Sequence, residues 1–546
     1  MVHVSDLGDA NLQRIFDVLY GDFWHAQLEL REYRHALPLA AVCSAWRPYV
    51  CRHIYRSAVL EIEHRYSSNG LPISSESVAL GYSWCSNIDL VISLGHCHLV
   101  QDVRLLSLNA PCGYLSIVEG LESVGFSSGS WQNVESLLVD NDYFPEPMED
   151  EEYSYPADVD GHLLRISKYL QCHLPNIAKL KCQPFYGEAN ASRLFNMLLN
   201  QYLRQLRSIW VHYSPIEFSH PSFSRSLTNL YIRMDSVAAA RIPRIFASSL
   251  LSLSLYRVPH NTSIWNYFVG DNTGHTQFTN LEELSISFIP PESAGENAAV
   301  SSAKSQKCNS SPSFPRLETL SVRFDDASIH GNDFYSLFLD SPLRDIKILD
   351  SLDSLQQLDT RLLAKADKVE VSIVPEHSMC KSDLDGFTHR LFGSPLGASN
   401  IAFGHLDGKS CISLPLRISW SNLVWLGFHA ATTPAAMVRL ISQLPTLRHL
   451  HITYMSMGEP GGKLELWDWY KSRVGADSHL STSLREVAIV HDVDTAPCIL
   501  FFELVQYLTL RVPSLERLSI PYKHGMFATA LYTEYSKTLA HLSVVE

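Results

Sequence analysis

Residues Phe314–Phe324 read FPRLETLSVRF, with apolar side chains at Leu317, Leu320 and Val322 in the pattern apolar-x-x-apolar-x-apolar. Three other stretches repeat this line closely: FTNLEELSISF, LPTLRHLHITY and VPSLERLSIPY. Alternation at the end of the line has the period of a β-strand, and each copy follows a helical or looped stretch. Ten looser copies begin at Val103, Val134, Ile177, Leu206, Leu227, Leu250, Leu343, Leu423, Leu484 and Leu539.

The spacing of these copies predicts a repeat protein. Successive copies begin mostly 21 to 43 residues apart, with one interval of 80 between Leu343 and Leu423. Units of this length stack because none can bury its apolar face alone. The alternative is a large α/β domain whose buried strands merely look alike. Within the long interval, Val369, Val371 and Ile373 predict a strand in altered register.

The line resembles the strand segment of leucine-rich repeats, L-x-x-L-x-L, over roughly residues 99–546. The Asn or Cys that usually follows in that family is mostly missing here, which puts its inner side-chain ladder in doubt. The resemblance implies an α/β fold, an irregular leucine-rich-repeat solenoid, which we assign to residues 63–546. By composition, 144–160 predicts an acidic loop and 290–315 a disordered insertion.

Residues 1–62 predict a small all-α module instead of repeats. Apolar residues recur there at helical spacing, and Pro48 suits the first turn of the last helix. The three helical faces comprise Leu12, Ile15, Phe16 and Leu19; then Leu39, Val42, Cys43 and Trp46; then Val50 and Ile54.

This module resembles the F-box. LQRIFDVL over 12–19 matches the first part of the F-box pattern, LAAVCSAWR over 39–47 matches the second, and Ile54-Tyr55 stands where a late apolar-aromatic pair is expected. Two features depart from the pattern: Leu7-Gly8 replaces the opening Leu-Pro, and the connection over 21–36 is long. The alternative is a plain helical cap over the exposed edge of the first repeat.

An F-box ahead of leucine-rich repeats resembles the substrate receptors of cullin–RING ubiquitin ligases. The resemblance implies that the helical module binds a Skp-type adaptor and its cullin complex, and that the repeats hold an unknown protein substrate. The adaptor-binding module would comprise Leu12, Ile15, Phe16, Leu19, Leu39, Val42, Cys43, Trp46 and Ile54. A leucine-rich-repeat scaffold with no ubiquitin-ligase link is the alternative.

Net charge, cysteine content and apolar runs limit the kinds of partner and compartment that we expect. Net charge is −14, which argues against a general nucleic-acid binder, and half of that excess lies in Glu146–Asp160. Eleven cysteines without a C-x-x-C pair do not suit a disulfide framework. We find neither a signal-peptide pattern nor an apolar run of membrane-spanning length, and we expect a cytoplasmic or nuclear protein without membrane contact.

Two short motifs offer catalysis or metal binding, and we expect neither role. Gly125-Phe-Ser127-Ser-Gly129 matches the G-x-S-x-G of hydrolases, but that chemistry needs a strand before the Ser and a helix after it, and the order here is reversed. His96-Cys97-His98, with Cys85 upstream, lacks the second close pair of a zinc site. The sequence therefore predicts no enzyme, no cofactor and no metal.

The strand pattern also predicts a binding face. In L-x-x-L-x-L the apolar side chains point inward, so the positions flanking the last two turn outward onto the concave sheet. Aromatic and Arg side chains, which dominate binding hot spots, recur there. Several histidines lie there too, and they would make binding sensitive to pH between about 5 and 7 if they meet the partner. The alternative is that irregular repeats bury several of them. The face comprises Trp210, His212, Tyr231, Arg233, Tyr256, Arg323, Trp425, His429, His449 and His451.

Overall fold

The computed structural model has a mixed α/β fold built on parallel strands. The chain divides into two compact units, Met1–Ile242 and Pro243–Glu546. The structure describes residues 46–64, 82–106, 117–140, 158–183, 189–211, 226–234, 242–259, 277–289, 313–324, 333–356, 358–374, 381–405, 414–415, 417–455, 479–492, 498–519 and 543–545.

The strands of the first unit are β1 (Ser57–His64), β2 (Tyr82–Ser86), β3 (Asp102–Leu106), β4 (Ser136–Asp140), β5 (Lys179–Gln183), β6 (Ser208–Val211) and β7 (Asn229–Arg233). Those of the second unit are β8 (Ser252–Pro259), β9 (Glu283–Ile289), β10 (Thr319–Phe324), β11 (Asp345–Asp350), β12 (Lys368–Ile373), β13 (Asn400–His405), β14 (Trp425–Thr432), β15 (His449–Met455), β16 (Glu486–Asp492), β17 (Arg517–Ser519) and β18 (Ser543–Val545).

The α-helices are α1 (Arg47–Ile54), α2 (Ile88–Ser93), α3 (Ile117–Ser123), α4 (Val159–His173), α5 (Ala189–Tyr202), α6 (Asp333–Ser336), α7 (Leu352–Gln356), α8 (Lys381–Gly393), α9 (Pro434–Gln443) and α10 (Cys498–Arg511). The starts of α4 and α9 follow ordinary capping chemistry. The Asp158 side chain accepts a hydrogen bond from Gly161 N at α4, and Thr433 does the same for Ala436 N at α9, where Pro434 follows as the first helical residue.

In the first unit, β1 pairs antiparallel with β2 on one side and parallel with β3 on the other. Strands β3 to β7 then pair in chain order, all parallel. The register keeps the second apolar residue of each line level with its neighbours, as Val103, Leu137 and Leu180 show. β1 includes residues 57–62, so the end of the region assigned to the all-α module is wrong: these residues form a strand of the sheet.

In the second unit, β8 to β18 pair in chain order and in parallel. From β8 to β17 the apolar line is again level from strand to strand, for example Leu284 with Leu320 and Leu320 with Ile346. The copy predicted to begin at Leu539 is out of register, because its third apolar residue, Val544, pairs with Leu518. A repeating, solenoid-like α/β arrangement is therefore the observed fold within each unit, as the copies of the line predicted.

Helices and strands share the core. The apolar residues of the lines are at most a few per cent exposed, as in Leu317, Leu320 and Val322. Aromatic rings join the two layers: the ring of Phe392 in α8 lies edge-on to Phe403 of β13, with centroids 5.7 Å apart. In β10, β11 and β12, for example, one face of the strand is buried and the other is partly or fully exposed.

In most of the described repeats, one backbone carbonyl fixes the start of the next strand. Glu282 O accepts the amides of both Glu318 and Thr319, at 2.9 Å each. The same two-donor arrangement recurs in other repeats, at the residue after the first apolar position of the line. Its acceptors are the carbonyls of Arg56, Gln101, Glu135, Ala178 and Arg207 in the first unit, and of Leu251, Glu282, Glu318, Arg344, Asp367, Ser399, Val424, Arg448 and Arg485 in the second.

Side chains just before the line add a second set of inter-repeat bonds. Asn176 Nδ2 donates to Gln132 O at 2.8 Å, and Asn280 Nδ2 donates to Ser248 O at 2.8 Å. Other residues at this position also donate to the preceding repeat: Asn133, Gln205, Ser226, Thr446, Ser483 and Ser514. These bonds form an inter-repeat ladder before the apolar line, whereas the usual Asn of leucine-rich repeats follows it.

The long interval in the sequence contains two strands, β12 and β13, in unshifted register. Val369 pairs with Ile346 and with Ile401, so the altered register expected for Val369, Val371 and Ile373 is wrong. Both strands have Ala in place of Leu at the first apolar position, Ala366 and Ala398, and both are buried. Because Ala is smaller than the Leu of the pattern, the sequence pattern did not reveal these two repeats.

Other boundaries also change. The first copy begins at Val100, which is fully buried, instead of Val103. Residues 158–160, assigned to the acidic loop, instead cap and begin α4. Residues 313–315, assigned to the insertion, are ordered: Ser313 forms a bridge with Gln277, and Phe314 is buried. The rest of both predicted loops, 144–157 and 290–312, lies outside the described residues.

Of the predicted helical module, the structure describes residues from Trp46 onward. The third predicted helix is confirmed as α1, with Val50 and Ile54 buried. The other two predicted helices lie outside the described residues. Among the helices that the structure describes, none combines the length and apolarity needed to cross a bilayer.

The side-chain ladder predicts a measurable stability difference. Asn280→Ala removes the ladder bond to Ser248 O and also the hydrogen bond that Asn280 Oδ1 accepts from the exposed Arg316. A hydrogen bond is typically worth about 0.5–1.5 kcal/mol, so the free energy of unfolding of the chain should fall by at least that amount. Asn422 occupies the same position before Leu423 and makes no side-chain hydrogen bond to described residues, so Asn422→Ala is the matched control. Urea unfolding of both variants makes the comparison; equal losses would show that the ladder bond does not contribute.

Candidate functional site

The side chains that alternate with the buried ones form the open face of each sheet. On β10, Leu320, Val322 and Phe324 are buried, whereas Thr319 and Ser321 are half-buried and Arg323 is exposed. Because the strands are parallel and in register, open-face residues of neighbouring strands lie side by side, about 4.8 Å apart. This face is where the sequence placed its candidate binding residues.

Two of those residues meet in the first unit. Trp210 on β6 and Tyr231 on β7 are register partners, and their half-buried rings stack with centroids 4.9 Å apart and planes 27° apart. Lys181 on β5 is the register partner of Trp210 on the other side. We call Lys179, Lys181, Trp210 and Tyr231 the lysine–aromatic patch. The predicted neighbour His212 lies outside the described residues.

Four more predicted residues meet in the second unit, on β14 and β15. Trp425 pairs with His449 in the register, and the ring of His429 lies edge-on to that of His451 at 5.7 Å. All four side chains are half-buried on the open face. We call Trp425, His429, His449 and His451 the histidine cluster.

A β-bulge positions His429. Phe428 pairs with Ile452 but Ala431 pairs with Tyr454, so β14 carries one more residue than β15 at this point. His429 lies in that extra stretch, and its Nδ1 is 2.7 Å from Oγ1 of Thr453, a hydrogen bond. Bulges re-aim side chains, and this one holds the imidazole against the next strand.

Two glycines make room for the cluster. A Cβ at Gly427 would lie 2.9 Å from Cζ3 of Trp425, because the indole lies over this residue, and 3.2 Å from Nε2 of His429. A Cβ at Gly404 on β13 would lie 2.6 Å from that of His429. Trp425 and His429 therefore lie close to the backbone of the sheet and present a broad, low surface.

Acidic side chains border the histidines. His449 Nδ1 is 3.1 Å from Glu486 Oε2, and Arg517 Nη1 is 3.3 Å from the other oxygen of Glu486. For His429, burial lowers the pKa from its ordinary 6.5, the charge of His451 adds to that lowering, and Glu370 opposes it. His429 is thus held toward its neutral form, as its hydrogen bond with Thr453 permits.

The remaining predicted face residues are scattered or buried. Tyr256 is half-buried on β8, next to a second bulge where Arg257 adopts a φ of 54°. Arg323 is exposed on β10, four strands before β14. The prediction for Arg233 is wrong, because its side chain is buried, with 7% exposure. Its neighbours Ile232 and Met234 are buried as well, so strict alternation ends at Tyr231.

Of the predicted adaptor-binding residues, only the last two fall where the structure describes the chain. Trp46 is half-buried, and its carbonyl accepts the amides of Tyr49 and Val50 in the first turn of α1. Ile54 is buried at the end of that helix. Outside the described residues lie Leu12, Ile15, Phe16, Leu19, Leu39, Val42 and Cys43.

The G-x-S-x-G stretch lacks the hydrolase geometry. Ser127 lies in a single 3₁₀ turn, Phe126–Ser128, after helix α3 and before strand β4, the reverse of the required order.

In the His96-Cys97-His98 stretch, His96 packs its ring against Tyr55 with centroids 4.8 Å apart. Within the part of the chain that the structure describes, no three His, Cys, Asp or Glu side chains gather as metal ligands would.

Sequence reasoning missed several residues of these two surfaces. It selected aromatic, His and Arg side chains and so passed over Lys179 and Lys181, although the copy beginning at Ile177 places both at outward positions. Glu486 occupies an outward position of its own copy and could have been found in the same way. Thr453 could not, because its contact depends on the bulge in β14.

No protein-family model and no curated protein matches this chain. The site must therefore be judged on its own chemistry. Both surfaces carry aromatic rings beside charged or titratable groups, on neighbouring paired strands. Such surfaces suit recognition of another molecule.

The histidine cluster predicts a specific titration. His429 should titrate below pH 6.5 in the folded protein; His451→Gln should raise its pKa by removing a positive neighbour, and Glu370→Gln should lower it further. Histidine-selective isotope labelling with NMR titration measures all three. A His429 pKa at or above 6.5, unmoved by either substitution, would contradict the assigned packing.

The lowered pKa of His429 also predicts how the stability of the fold changes with pH. Because the unfolded chain takes up the proton more readily than folded His429, the contribution of its neutral form is present above pH 6.5 and is lost as the pH falls. His429→Gln should therefore lose less stability than the wild type between pH 7 and 5. Urea unfolding at the two pH values provides the comparison, and an equal loss would show that His429 is not the group involved.

Proposed function

We propose that this protein is a substrate receptor of a cullin–RING ubiquitin ligase. In this proposal an F-box-like module over 1–62 binds a Skp-type adaptor, and the leucine-rich-repeat-like sheets over 63–546 hold the target protein. Such a receptor is not an enzyme; it brings a substrate to the ligase, in the cytoplasm or nucleus.

The observation that carries the binding role is the composition of the open face. A solvated face without a task favours small or charged residues, such as Ser285 and Ser321 here. The two surfaces instead concentrate Trp, Tyr and His, which cost little conformational entropy to immobilise and contribute large contact area. Clustering in register on adjacent strands makes each surface a single contact area.

The adaptor role has a sequence basis and a structural one. The sequence basis is the F-box-like pattern that ends in VCSAWR over 42–47. The structural basis is a short, ordered connection: α1 ends at Ile54, Tyr55 is buried, and Arg56 O already accepts the amides of Gln101 and Asp102. A module joined in this way would hold the adaptor in a fixed position relative to the first strands of the first unit.

A scaffold without a ligase link is the second candidate. The buried Val50 and Ile54 of α1 also fit a helix that merely covers the edge of the first repeat. The two candidates differ in one property, binding of a Skp-type adaptor.

Co-purification with a recombinant Skp-type adaptor tests the ligase proposal. The wild-type chain should form a complex that survives gel filtration. Trp46→Ala should weaken it, with a smaller loss of stability than the roughly 3–5 kcal/mol of a fully buried ring because Trp46 is half-buried. Trp425→Ala, in the second unit, is the control and should retain the adaptor. If the folded wild type forms no complex, the scaffold without a ligase link becomes the better-supported candidate.

Substrate capture tests the open face. Tyr231→Ala combined with Trp425→Ala removes one ring from each surface and should reduce, by at least about tenfold, the proteins retained by the chain from cells with blocked proteasomes. Adaptor binding should persist. Lys368→Ala, an exposed open-face change outside both surfaces, is the matched control. Undiminished capture by the folded double variant would move the binding site elsewhere.

A further inference from the structure

The lysine–aromatic patch has features that point to one class of partner. Its residues follow one another across the sheet: Lys181 pairs with Trp210, and Trp210 pairs with Tyr231. Lys179 lies two residues before Lys181 on the same strand and the same face. The patch is therefore a cationic strand beside two aromatic strands.

Its charge is not balanced within the described chain. Arg104, two strands away on the same face, is paired with Asp102 at 3.0 Å. Lys179 and Lys181 are exposed, and neither has a carboxylate within ion-pair distance among the residues that the structure describes. Partial burial and the charges of Arg104 and Lys179 lower the pKa of Lys181, against the opposing effect of Asp102. An anionic group at this point would relieve that repulsion.

The rings supply the apolar part of the site. Trp210 and Tyr231 stack on each other and stay half-buried, so they form a rigid shelf beside the lysines. Alternate side chains of an extended peptide lie roughly 6.6–6.8 Å apart. A peptide crossing the strands with a carboxylate over β5 would thus place the side chain two residues on between β6 and β7.

We propose that the lysine–aromatic patch binds an acidic segment of a partner protein, in which Asp or Glu is separated by one residue from an aromatic side chain. The carboxylates pair with Lys179 and Lys181, and the aromatic side chain packs against Trp210 and Tyr231. This inference rests on the proposed role of the sheet in holding a protein partner and does not depend on the ligase link.

Single-stranded nucleic acid is the competing ligand, since it also binds cations beside aromatic rings. The two lysines of the patch would neutralise few phosphates of a nucleic acid, on a chain of net charge −14. A short peptide segment with one or two carboxylates needs no more than these two cations, so the acidic peptide is favoured.

Fluorescence anisotropy with the full chain tests the proposal. The probe is a fluorescein-labelled peptide of three Glu-Ser-Tyr-Ser repeats; the comparison peptides replace Glu with Lys, or Tyr with Ser. The wild type should bind the probe, more weakly as salt rises, and should bind both comparison peptides at least about tenfold more weakly.

Lys179→Gln with Lys181→Gln should weaken probe binding by about tenfold or more and should keep the fold, because both side chains are exposed. The matched control is Lys365→Gln with Lys368→Gln, two exposed lysines of the second unit. Three results would overturn the proposal: no probe binding by the wild type, equal loss in both double variants, or tighter binding of an oligo-dT of about twelve nucleotides. Adaptor co-purification, measured on the same variants, reports separately on the ligase proposal.

Discussion

The repeats depend on a single kind of backbone contact, in which one carbonyl accepts two consecutive amides from the next repeat. Arg344 O, for example, accepts Asp367 N at 2.8 Å and Lys368 N at 2.9 Å. The contact lies at the start of each strand, so it sets the register before the strand begins. Since a slip of one residue would turn every side chain to the other face, this contact determines which residues are buried and which are presented.

The same contact explains why the sequence can be so irregular. Backbone groups make the junction, and the side chain before the line only has to donate to a carbonyl of the previous repeat. Asn, Gln, Ser and Thr all do so, as Asn133, Gln205, Ser483 and Thr446 show. A fixed Asn after the strand is then not required, and segments of varied length can separate the strands at little entropic cost.

Because backbone groups make the junctions and side chains fill the core, only some features could be predicted from the sequence. The alternating apolar line predicted most strands, because burial on one face demands it. It failed at Ala366 and Ala398, where a methyl group suffices to fill the first position, and it failed at Arg233, where the strand ends and alternation with it. On the open face, residue type alone suggested Trp210, Tyr231, Trp425 and the histidines. Their partners depend on register and on a bulge, which cannot be read from a single strand.

The open faces of the two units use that freedom differently. In the first, Lys181, Trp210 and Tyr231 follow the regular register, so their spacing is that of the strands themselves. In the second, a bulge in β14 brings His429 onto Thr453, and the absence of side chains at Gly404 and Gly427 lets His429 and Trp425 lie against the sheet. A side chain at Gly427 would displace the indole of Trp425, and a side chain at Gly404 would press on the Cβ and backbone of His429. Lys179, Trp425 and His449 take part in the junctions between repeats only through their backbone amides. The side chains of both surfaces can therefore vary without changing the register of the strands.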